Sequence, residues 1–225
     1  MVIHVQEDDR AFLESAFLFW GKLSRTDQDQ ITMGTISRSF EEGQTVKTAS
    51  ETCGGLLLVK SGQVRAFFEG EGGKEMTLYR LLPRDLCILS APCIIRSITF
   101  DVTLAAEKKS TILQIPPNLW SELSASYPAV QSYSMELMAA RFSDVMWVLD
   151  QIISKNLGQR VSYFLKEQSI LDETDELHLT HEAIARHLGT AREVVSRVLK
   201  YFEGEGAIEQ SRGIIRMVRP DRLML

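Results

Sequence analysis

The stretch Leu179–Phe202 constrains this chain most, because its pattern predicts two short helices joined by a tight turn. Apolar residues recur at helical spacing in both halves, and Gly189 lies at the join, where the backbone must take a conformation that a β-carbon penalises. Thr180 can cap the first helix and Thr190 the second, which is predicted to run from Ala191 to about Phe202. The pattern is typical of a helix-turn-helix, whose second helix lies in the major groove of DNA. An ordinary helical hairpin within a core is the alternative.

The outward side of the second helix weighs against an ordinary hairpin. It carries polar residues whose spacing places them on one side of a helix: Arg192, Glu193, Ser196 and Arg197. Val195, Val198 and Leu199 lie on the opposite side. An arginine can bind guanine O6 and N7, and a carboxylate can accept a hydrogen bond from cytosine N4. Because a solvated charged surface has the same composition, this side favours DNA binding only together with the turn.

Composition limits the class of protein. The chain has 225 residues, enough for two domains, and its 44% hydrophobic and 24% charged residues are those of a soluble globular protein. No apolar run approaches the roughly 20 residues that span a bilayer, and the acidic N-terminal segment differs from a secretory signal. A cytoplasmic protein with no membrane partner is therefore expected. The odd number of cysteines, 3, fits a reducing compartment.

The net charge of −5 argues mildly against a nucleic-acid partner, so its distribution matters. Residues 177–225 hold 8 basic and 6 acidic residues, a net +2, whereas residues 1–176 hold 17 basic and 24 acidic residues, a net −7. The basic excess thus lies in the segment with the helix-turn-helix pattern. A local basic patch can bind phosphates while the remaining surface stays acidic.

The N-terminal part is predicted to be helical first and then rich in strands. Residues 9–34 predict two helices, with Ser24 or Thr26 able to cap the second. The next residues form short alternating runs broken by turn signals such as Ser61-Gly62, and a short helix, Pro117–Ser126, follows them. The candidate strands are Ile36–Phe40, Thr45–Lys47, Gly55–Lys60, Gln63–Glu69, Glu75–Leu82, Leu86–Leu89, Ile98–Ala105 and Ser110–Ile115. This spacing indicates a compact antiparallel roll or jelly-roll barrel.

A long helix is predicted from Ala129 to about Ser154, because no Gly or Pro interrupts the pattern after Pro128. Apolar residues recur along it at alternating intervals of 3 and 4, the spacing of a coiled-coil seam: Met135, Met138, Phe142, Val145, Leu149 and Ile152. Other apolar residues lie outside this stripe and can pack on the roll: Leu137, Trp147 and Val148. One side of the helix would then pack on the chain's own core, and the other would pack against a second subunit. The alternative is a monomer in which both sets of residues form one wide apolar stripe.

The remaining segments complete a C-terminal domain. Residues 156–158 interrupt the long helix and predict a hinge before a further helix, Gln159–Glu167. The acidic Asp172–Glu176 predicts a solvent loop between domains. Residues 207–210 and 214–218 flank a turn and predict a β-hairpin, which beside a helix-turn-helix forms a wing.

This order of parts resembles the transcription regulators of the cyclic-AMP receptor protein / fumarate–nitrate regulator (CRP/FNR) family, over nearly the whole chain. The resemblance rests on LLLVKSGQVRAFF and GGKEMTLYRLLPRDLC in the roll, the long helix, and LTHEAIARHLGTAREVVSRVLKYFEGEGAIEQSRGIIRMV. It implies an α+β fold with a cyclic-nucleotide-binding-type antiparallel β-roll over 1–126, a dimerisation helix over 127–155 and a winged helix-turn-helix over 156–225. It also implies a homodimer that binds palindromic promoter sites on double-stranded DNA under the control of a signal, and that contacts RNA polymerase if it is an activator.

The resemblance implies base-reading roles on the second helix. The Glu-x-x-Ser-Arg pattern of the fumarate–nitrate branch is present as Glu193, Ser196 and Arg197, and the Arg-Glu pair of the cyclic-AMP branch as Arg192 and Glu193. The cyclic-AMP branch has glycine where this chain has Ser196. A half-site with a GA step is therefore predicted, closer to TTGAT than to TGTGA, with half-sites about one helical turn apart. Residues near helix starts are candidates for phosphate contacts: Thr180, His181 and Thr190.

The sensor residues depart from the cyclic-AMP pattern. The cyclic-AMP branch carries Gly-Glu after the aspartate that corresponds to Asp85, and Arg-Ser-Ala about ten residues later. The Glu binds the ribose hydroxyl, and the Arg and Ser bind the phosphate. Here Leu86 follows Asp85, and Asp101 lies where it would repel a phosphate. Cyclic AMP is therefore not expected, and the small-molecule effector is unidentified. The candidate effector pocket comprises Leu86, Cys87, Leu89, Ser90, Arg96, Ser97 and Thr99.

No cofactor or metal is expected. An iron–sulfur centre of this family needs four thiolates, and the chain has 3 cysteines. Cys87 and Cys93 could form a thiol switch, but buried and inert cysteine is the simpler interpretation. His178, His181 and His187 lie in the DNA-binding segment, where capping and phosphate contact explain them more simply than a metal cluster.

Three classes of function remain. The first is a homodimeric DNA-binding regulator. The second is a small-ligand or thiol or haem redox-sensing module in which DNA binding is secondary. The third is a cupin-like enzyme, which needs clustered histidines and carboxylates on the strands. Because residues 35–116 contain no histidine, the sequence predicts a regulator and not an enzyme.

Overall fold

A computed structural model describes residues 2–4, 7–48, 55–91, 94 and 102–223 of the chain. The chain divides into two compact units, Met1–Phe68 with Leu78–Val145, and Glu69–Thr77 with Met146–Leu225. Some residues singled out by the sequence lie outside the described ranges: Cys93, Arg96, Ser97, Thr99, Asp101 and half of the predicted strand Ile98–Ala105, residues 98–101. The third cysteine, Cys53, also lies outside them.

Two helices follow a short first strand that the sequence did not predict, and they lie where the sequence predicts them. Helix α1 spans Glu7–Ala16 and α2 spans Arg25–Gly34, with a 3₁₀ turn at Trp20–Lys22 between them. Of the two candidate caps for α2, Ser24 is the one used, since its hydroxyl oxygen accepts a hydrogen bond from the Asp27 amide at 3.1 Å.

The sheet of the first unit has seven strands within the described residues. They are β1 (Val2–His4), β2 (Ile36–Phe40), β3 (Thr45–Lys47), β4 (Leu56–Glu69), β5 (Glu75–Leu81), β6 (Leu86–Cys87) and β7 (Thr103–Ile115). Neighbours pair in the order β1-β2-β7-β4-β5, while β3 also pairs with β7 and β6 with β4. The pairings of β7 with β2, β3 and β4 are antiparallel, which confirms the predicted antiparallel sheet.

Strand β4 runs through Ser61-Gly62 without a break, so the predicted turn between two strands is wrong. Gly62 has φ +86°, and a Cβ there would lie 2.3 Å from the Lys109 carbonyl oxygen of β7. The register between β4 and β7 shifts on both sides of this glycine. A bulge therefore bends the strand where a hairpin was expected. Strand β7 is likewise continuous where Ser110–Ile115 was predicted as a separate strand.

An aromatic cluster fixes two helices against the sheet. Helix α3 spans Pro117–Ser126, as predicted, and its Trp120 is fully buried. The Trp120 ring centroid lies 5.6 Å from that of Phe17 and 5.8 Å from that of Phe19. Its indole nitrogen donates to Ser134 Oγ on the next helix, α4, at 3.0 Å. Burial of these rings holds both helices on the core of the first unit.

Helix α4 spans Pro128–Ser154 and contains 27 residues, roughly 40 Å at about 1.5 Å per residue. Leu137, Met138 and Val145 pack against the core of the first unit. The other residues of the predicted seam have exposed side chains: Met135, Phe142, Leu149 and Ile152. Trp147 is 53% exposed and belongs to the second unit, so its packing on the roll stays a prediction. No helix within the described ranges is long and apolar enough to cross a membrane.

The second unit contains the predicted helix-turn-helix and wing. Its elements are α5 (Leu157–Asp172), β8 (Glu176–Leu177), α6 (His181–Leu188), α7 (Arg192–Gly204), β9 (Ile208–Ser211) and β10 (Ile214–Met217). The strands pair antiparallel in the order β8-β10-β9. Its core is separate from that of the first unit and includes Val161, Leu165, Ile184, Leu199 and Phe202, all of them fully buried.

Two predictions for the second unit need correction. Helix α5 is longer than predicted at both ends. Its earlier start is explained by a capping box, in which Asn156 Oδ1 accepts from the Gln159 amide at 2.9 Å and Gln159 Oε1 accepts from the Asn156 amide at 3.2 Å. The acidic segment Asp172–Glu176 lies within the second unit and not between domains. It leads into β8, where Glu176 pairs with Arg216 of β10 at 2.7 Å.

Candidate DNA interface

The turn between α6 and α7 has the geometry that its glycine predicts. Gly189 takes the left-handed φ of +65°, and the Thr190 amide donates to the Ala185 carbonyl at 3.0 Å. At the other end of α6, the Thr180 hydroxyl oxygen accepts a hydrogen bond from the Ala183 amide at 3.1 Å, so the predicted cap is confirmed. These bonds satisfy backbone groups that a helix end leaves without intrahelical partners.

The predicted cap of α7 is wrong. The helix begins at Arg192, one residue later than expected, and Ala191 occupies the cap position, where its methyl group cannot accept a hydrogen bond. Thr190 therefore lies before the cap, because the turn is one residue longer than predicted. Its half-buried hydroxyl stays a candidate for a phosphate contact.

Helix α7 turns its predicted polar side away from the core. That side consists of three exposed residues, Arg192, Glu193 and Arg197, and the half-buried Ser196. On the opposite side Val195 and Leu199 are fully buried. Two guanidinium groups, one carboxylate and one hydroxyl are thus presented together, and these groups match the donors and acceptors of base edges in the major groove.

A chain of hydrogen bonds links α6, α7 and the wing. Nδ1 of His181 lies 2.8 Å from Ser196 Oγ, and Nε2 of His181 lies 2.9 Å from Gln210 Oε1. The side-chain and backbone nitrogens of Gln210 each donate to a carboxylate oxygen of Glu203, both at 3.1 Å. His181, predicted to contact phosphate, therefore has both ring nitrogens engaged. Sequence reasoning missed Gln210 and Glu203, because the placement of the wing against α7 is not a local property.

A groove of about 480 Å³ lies between the helix-turn-helix and the wing. Its lining includes Thr180, His181, Arg192 and Arg212. Arg212 is exposed in the turn of the β9–β10 hairpin, next to Gly213 with φ +76°. The two arginines bring positive charge to the groove and Glu182 brings one negative charge, so the lining keeps a positive excess that suits a phosphate backbone. Sequence reasoning missed Arg212, although its place in a hairpin turn beside a glycine was an available signal.

His187, near the C-terminal end of α6, has a different environment from His181. Thr77 Oγ1, from the hairpin tip Glu69–Thr77 of the same unit, lies 2.8 Å from His187 Nδ1. Met76 forms a β-bridge with Leu188, and its terminal methyl would lie 2.6 Å from a Cβ at Gly189. In the described part of the chain, no group of three or more His, Cys, Asp or Glu side chains is placed to hold a metal ion.

The predicted effector residues that the structure describes are packed inside the first unit. They are Leu86, Cys87, Leu89 and Ser90, each at most 5% exposed. The Ser90 hydroxyl lies 2.7 Å from the Cys87 carbonyl oxygen and 2.9 Å from that of Gly55. Burial raises the pKa of the Cys87 thiol, which also lies 3.7 Å from the hydroxyl of Tyr79. An effector pocket at these residues stays a prediction.

Two family models match the chain, a cyclic nucleotide-binding domain over residues 37–127 and a Crp-like helix-turn-helix domain over residues 159–225. Among curated relatives, the transcriptional activator protein FnrA of Stutzerimonas stutzeri is 25% identical over 206 residues, 87% of this chain and 83% of that protein. The cyclic AMP receptor protein of Thermus thermophilus is 26% identical over 180 residues, 80% of this chain and 82% of that protein.

Solved structures give the same result. The crystal structure of a transcriptional regulator of the CRP/FNR family from Eubacterium rectale is 43% identical, with a TM-score of 0.89 over 93% of this chain and 97% of that one. The c-di-GMP-responsive global regulator CLP of Xanthomonas campestris is 18% identical and shares the fold, with a TM-score of 0.73 over 86% of this chain and 99% of that one. These relatives are regulators of transcription and not enzymes.

Proposed function

The chain belongs to the CRP/FNR family of transcription regulators, and we propose that it binds a palindromic promoter site as a homodimer through the exposed side of α7. The observation that carries this proposal is the set of polar side chains presented together there, with Arg192, Glu193 and Arg197 all exposed. The apolar side of the same helix is fully buried at Val195 and Leu199, so α7 can enter a groove without losing its own packing.

Each polar side chain has a chemical role in the proposed contact. The Arg197 guanidinium is suited to a bidentate contact with guanine O6 and N7, and Glu193 accepts from cytosine N4. Ser196 discriminates a neighbouring base, and Arg192 reaches a base or a phosphate. The half-site contains a GA step and is TTGAT-like, with half-sites about one helical turn apart. The hydroxyls of Thr180 and Thr190 add phosphate contacts that fix register.

The homodimer is proposed to form along α4. Its exposed apolar residues fall at the intervals of a seam: Met135, Phe142, Leu149 and Ile152. A stripe of this length is costly to leave in water, and a second copy of α4 would cover it by coiled-coil packing. A two-fold axis along this seam would also give the two copies of α7 the symmetry of a palindrome.

The signal is proposed to act through the first unit on this dimer. A small effector other than cyclic AMP would favour one packing of the two α4 helices. The segment Asn156–Gly158 would then act as a hinge and change the orientation of the two α7 helices relative to the major grooves. Titration calorimetry with cyclic AMP is expected to show no saturable binding. If the protein is an activator, RNA polymerase is its partner at the promoter, and a cytoplasmic location fits these roles.

Selection of bound DNA from a random pool tests this proposal directly. The full chain is mixed with the pool, bound fragments are recovered and amplified, and the enriched sequences are read. We expect an inverted repeat with a GA step in each half-site. If no sequence is enriched, or if the enriched sequences contain a single half-site without an inverted copy, the proposal of a dimer on a palindrome is contradicted.

A further inference from the structure

The chain of hydrogen bonds at His181 has a direction that its chemistry determines. An ionised carboxylate only accepts hydrogen bonds, and both oxygens of Glu203 lie 3.1 Å from nitrogens of Gln210. The amide nitrogen of the Gln210 side chain must therefore face Glu203, since the reverse orientation would set two acceptors against each other. The amide oxygen then faces His181, 2.9 Å from its Nε2.

This orientation sets the tautomer of His181. The Gln210 amide oxygen can only accept, so Nε2 of His181 carries the hydrogen and donates it. In a neutral imidazole the other nitrogen, Nδ1, then bears a lone pair and can only accept. Because Ser196 Oγ lies 2.8 Å from Nδ1, the hydroxyl hydrogen of Ser196 must point at His181.

Ser196 is consequently left with acceptor capacity on its outward side. A serine hydroxyl has one hydrogen and two lone pairs, and its hydrogen is already used within the protein. In the major groove the groups that donate are the amino groups of adenine N6 and cytosine N4, whereas thymine O4 and guanine O6 and N7 accept. A hydroxyl fixed as an acceptor therefore favours an amino-bearing base.

We infer that His181 is a specificity-determining positioning residue, which fixes Ser196 as a hydrogen-bond acceptor and so selects adenine or cytosine at the base that Ser196 reaches. This inference rests on the proposed function, in which Ser196 faces a base. His181 acts through Ser196, and Gln210 with Glu203 keeps His181 in the required tautomer. The four residues thus connect the wing to the base preference of α7.

The binding test uses a panel of operators and a matched pair of variants. The panel carries each of the four bases at the half-site position where Ser196→Ala changes the affinity. In His181→Asn the amide oxygen can replace the Nδ1 acceptor, whereas in His181→Gln the longer side chain reaches Gln210 and leaves no acceptor beside Ser196. The two variants are alike in polarity, so a merely structural role would damage both equally.

The parent chain is expected to prefer adenine or cytosine over thymine or guanine by roughly 3- to 10-fold, the range of one neutral hydrogen bond. His181→Asn should keep this preference, and His181→Gln should lose it, because the freed Ser196 hydroxyl can donate to thymine or guanine. The inference is overturned if His181→Gln keeps the parent preference, or if both variants lose it together. If the parent chain binds no palindromic operator, or if Ser196→Ala changes no preference, the proposed function fails instead.

A spectroscopic measurement tests the same inference without DNA. In the full chain labelled with ¹⁵N-histidine, two-bond correlation spectra at pH 8 distinguish a protonated from an unprotonated ring nitrogen. His181 is assigned by the signal that disappears in His181→Asn. We expect hydrogen on Nε2 and a bare Nδ1. The opposite tautomer would overturn the inference, whatever the operator experiments show.

Discussion

The two units of this chain present their polar groups in opposite ways. On α7 the groups proposed to bind DNA are already exposed, as Arg192 and Arg197 show. In the first unit, the described residues proposed to contact an effector are buried, and Cys87 and Ser90 are fully so. The difference indicates that the DNA-binding surface is preformed, whereas a ligand at Cys87 and Ser90 would have to displace packed side chains. Such displacement is costly because protein interiors are close-packed.

The largest effect is expected where α7 meets its own core. Phe202 is fully buried, whereas its neighbour Tyr201 is 49% exposed. Phe202→Ala should lower the free energy of unfolding by about 3–5 kcal/mol, the usual cost of removing a buried phenyl ring. Urea denaturation followed by circular dichroism measures the loss. Tyr201→Ala is the control, and an equal loss in both variants would contradict the assignment of the two sides of α7.

The exposed stripe on α4 predicts the next effect. Phe142→Asp would place two carboxylates at the proposed dimer seam, where an unpaired charge is costly. We expect the dimer dissociation constant to rise by roughly 30- to 1,000-fold, about 2–4 kcal/mol, measured by analytical ultracentrifugation. Leu18→Asp is the matched control, since Leu18 is 91% exposed and lies outside the stripe. A Phe142→Asp protein that stays dimeric would show that the seam lies elsewhere.

A third prediction concerns one base pair of the operator. Glu193→Ala should weaken binding to the selected operator by about 1–3 kcal/mol and relax the preference for cytosine at one position of each half-site. Fluorescence anisotropy with labelled operators at fixed salt concentration measures both. Glu205 is also exposed but lies beyond the C-terminal end of α7, so Glu205→Ala should leave specificity unchanged. Unchanged cytosine preference in Glu193→Ala would exclude the proposed contact.

The smallest effect is a dependence on pH in the first unit. Burial raises the pKa of Cys87, and it raises the pKa of Tyr79 well above that of an exposed tyrosine. The folded state therefore keeps the thiol protonated where the unfolded chain ionises. Stability is fully present below the unfolded thiol pKa of about 8.5 and falls as pH rises above it, by up to about 1.4 kcal/mol per pH unit for this one group.

Denaturation curves between pH 8 and pH 10 measure this dependence. Cys87→Ala is the informative variant, because it removes the thiol and should flatten the slope even though the lost side chain lowers stability at every pH. An identical slope in the variant would show that Cys87 does not carry the effect.

Local patterns predicted the DNA-binding part well for a physical reason. Gly189 and Thr180 act through bonds within a few residues, and helical spacing alone places Glu193 and Arg197 on one side of α7. The contact of His181 with Gln210 spans 29 positions, and no local pattern specifies it. A glycine that makes a bulge and one that makes a turn look alike in sequence, so the pattern at Gly62 predicts a turn where the structure has a bulge.

The prediction for the sensor rested on resemblance and not on local physics. The resemblance to related proteins predicts a ligand at Leu86–Ser90, whereas the apolar residues of this stretch favour burial. Burial at these positions is what the structure shows, as at Leu86 and Ser90. Resemblance to the family therefore predicts which region would bind an effector, whereas the apolar side chains of that region predict that it is buried.

If a preformed side of α7 binds the operator, the variant Arg197→Ala should lose affinity for the selected palindrome. Arg25→Ala is the control, because it removes the same charge from an exposed arginine in the first unit. We expect Arg197→Ala to bind roughly 5- to 200-fold more weakly than the parent chain, with the control unchanged. Equal binding by Arg197→Ala and the parent chain would rule out α7 as the surface that binds the operator.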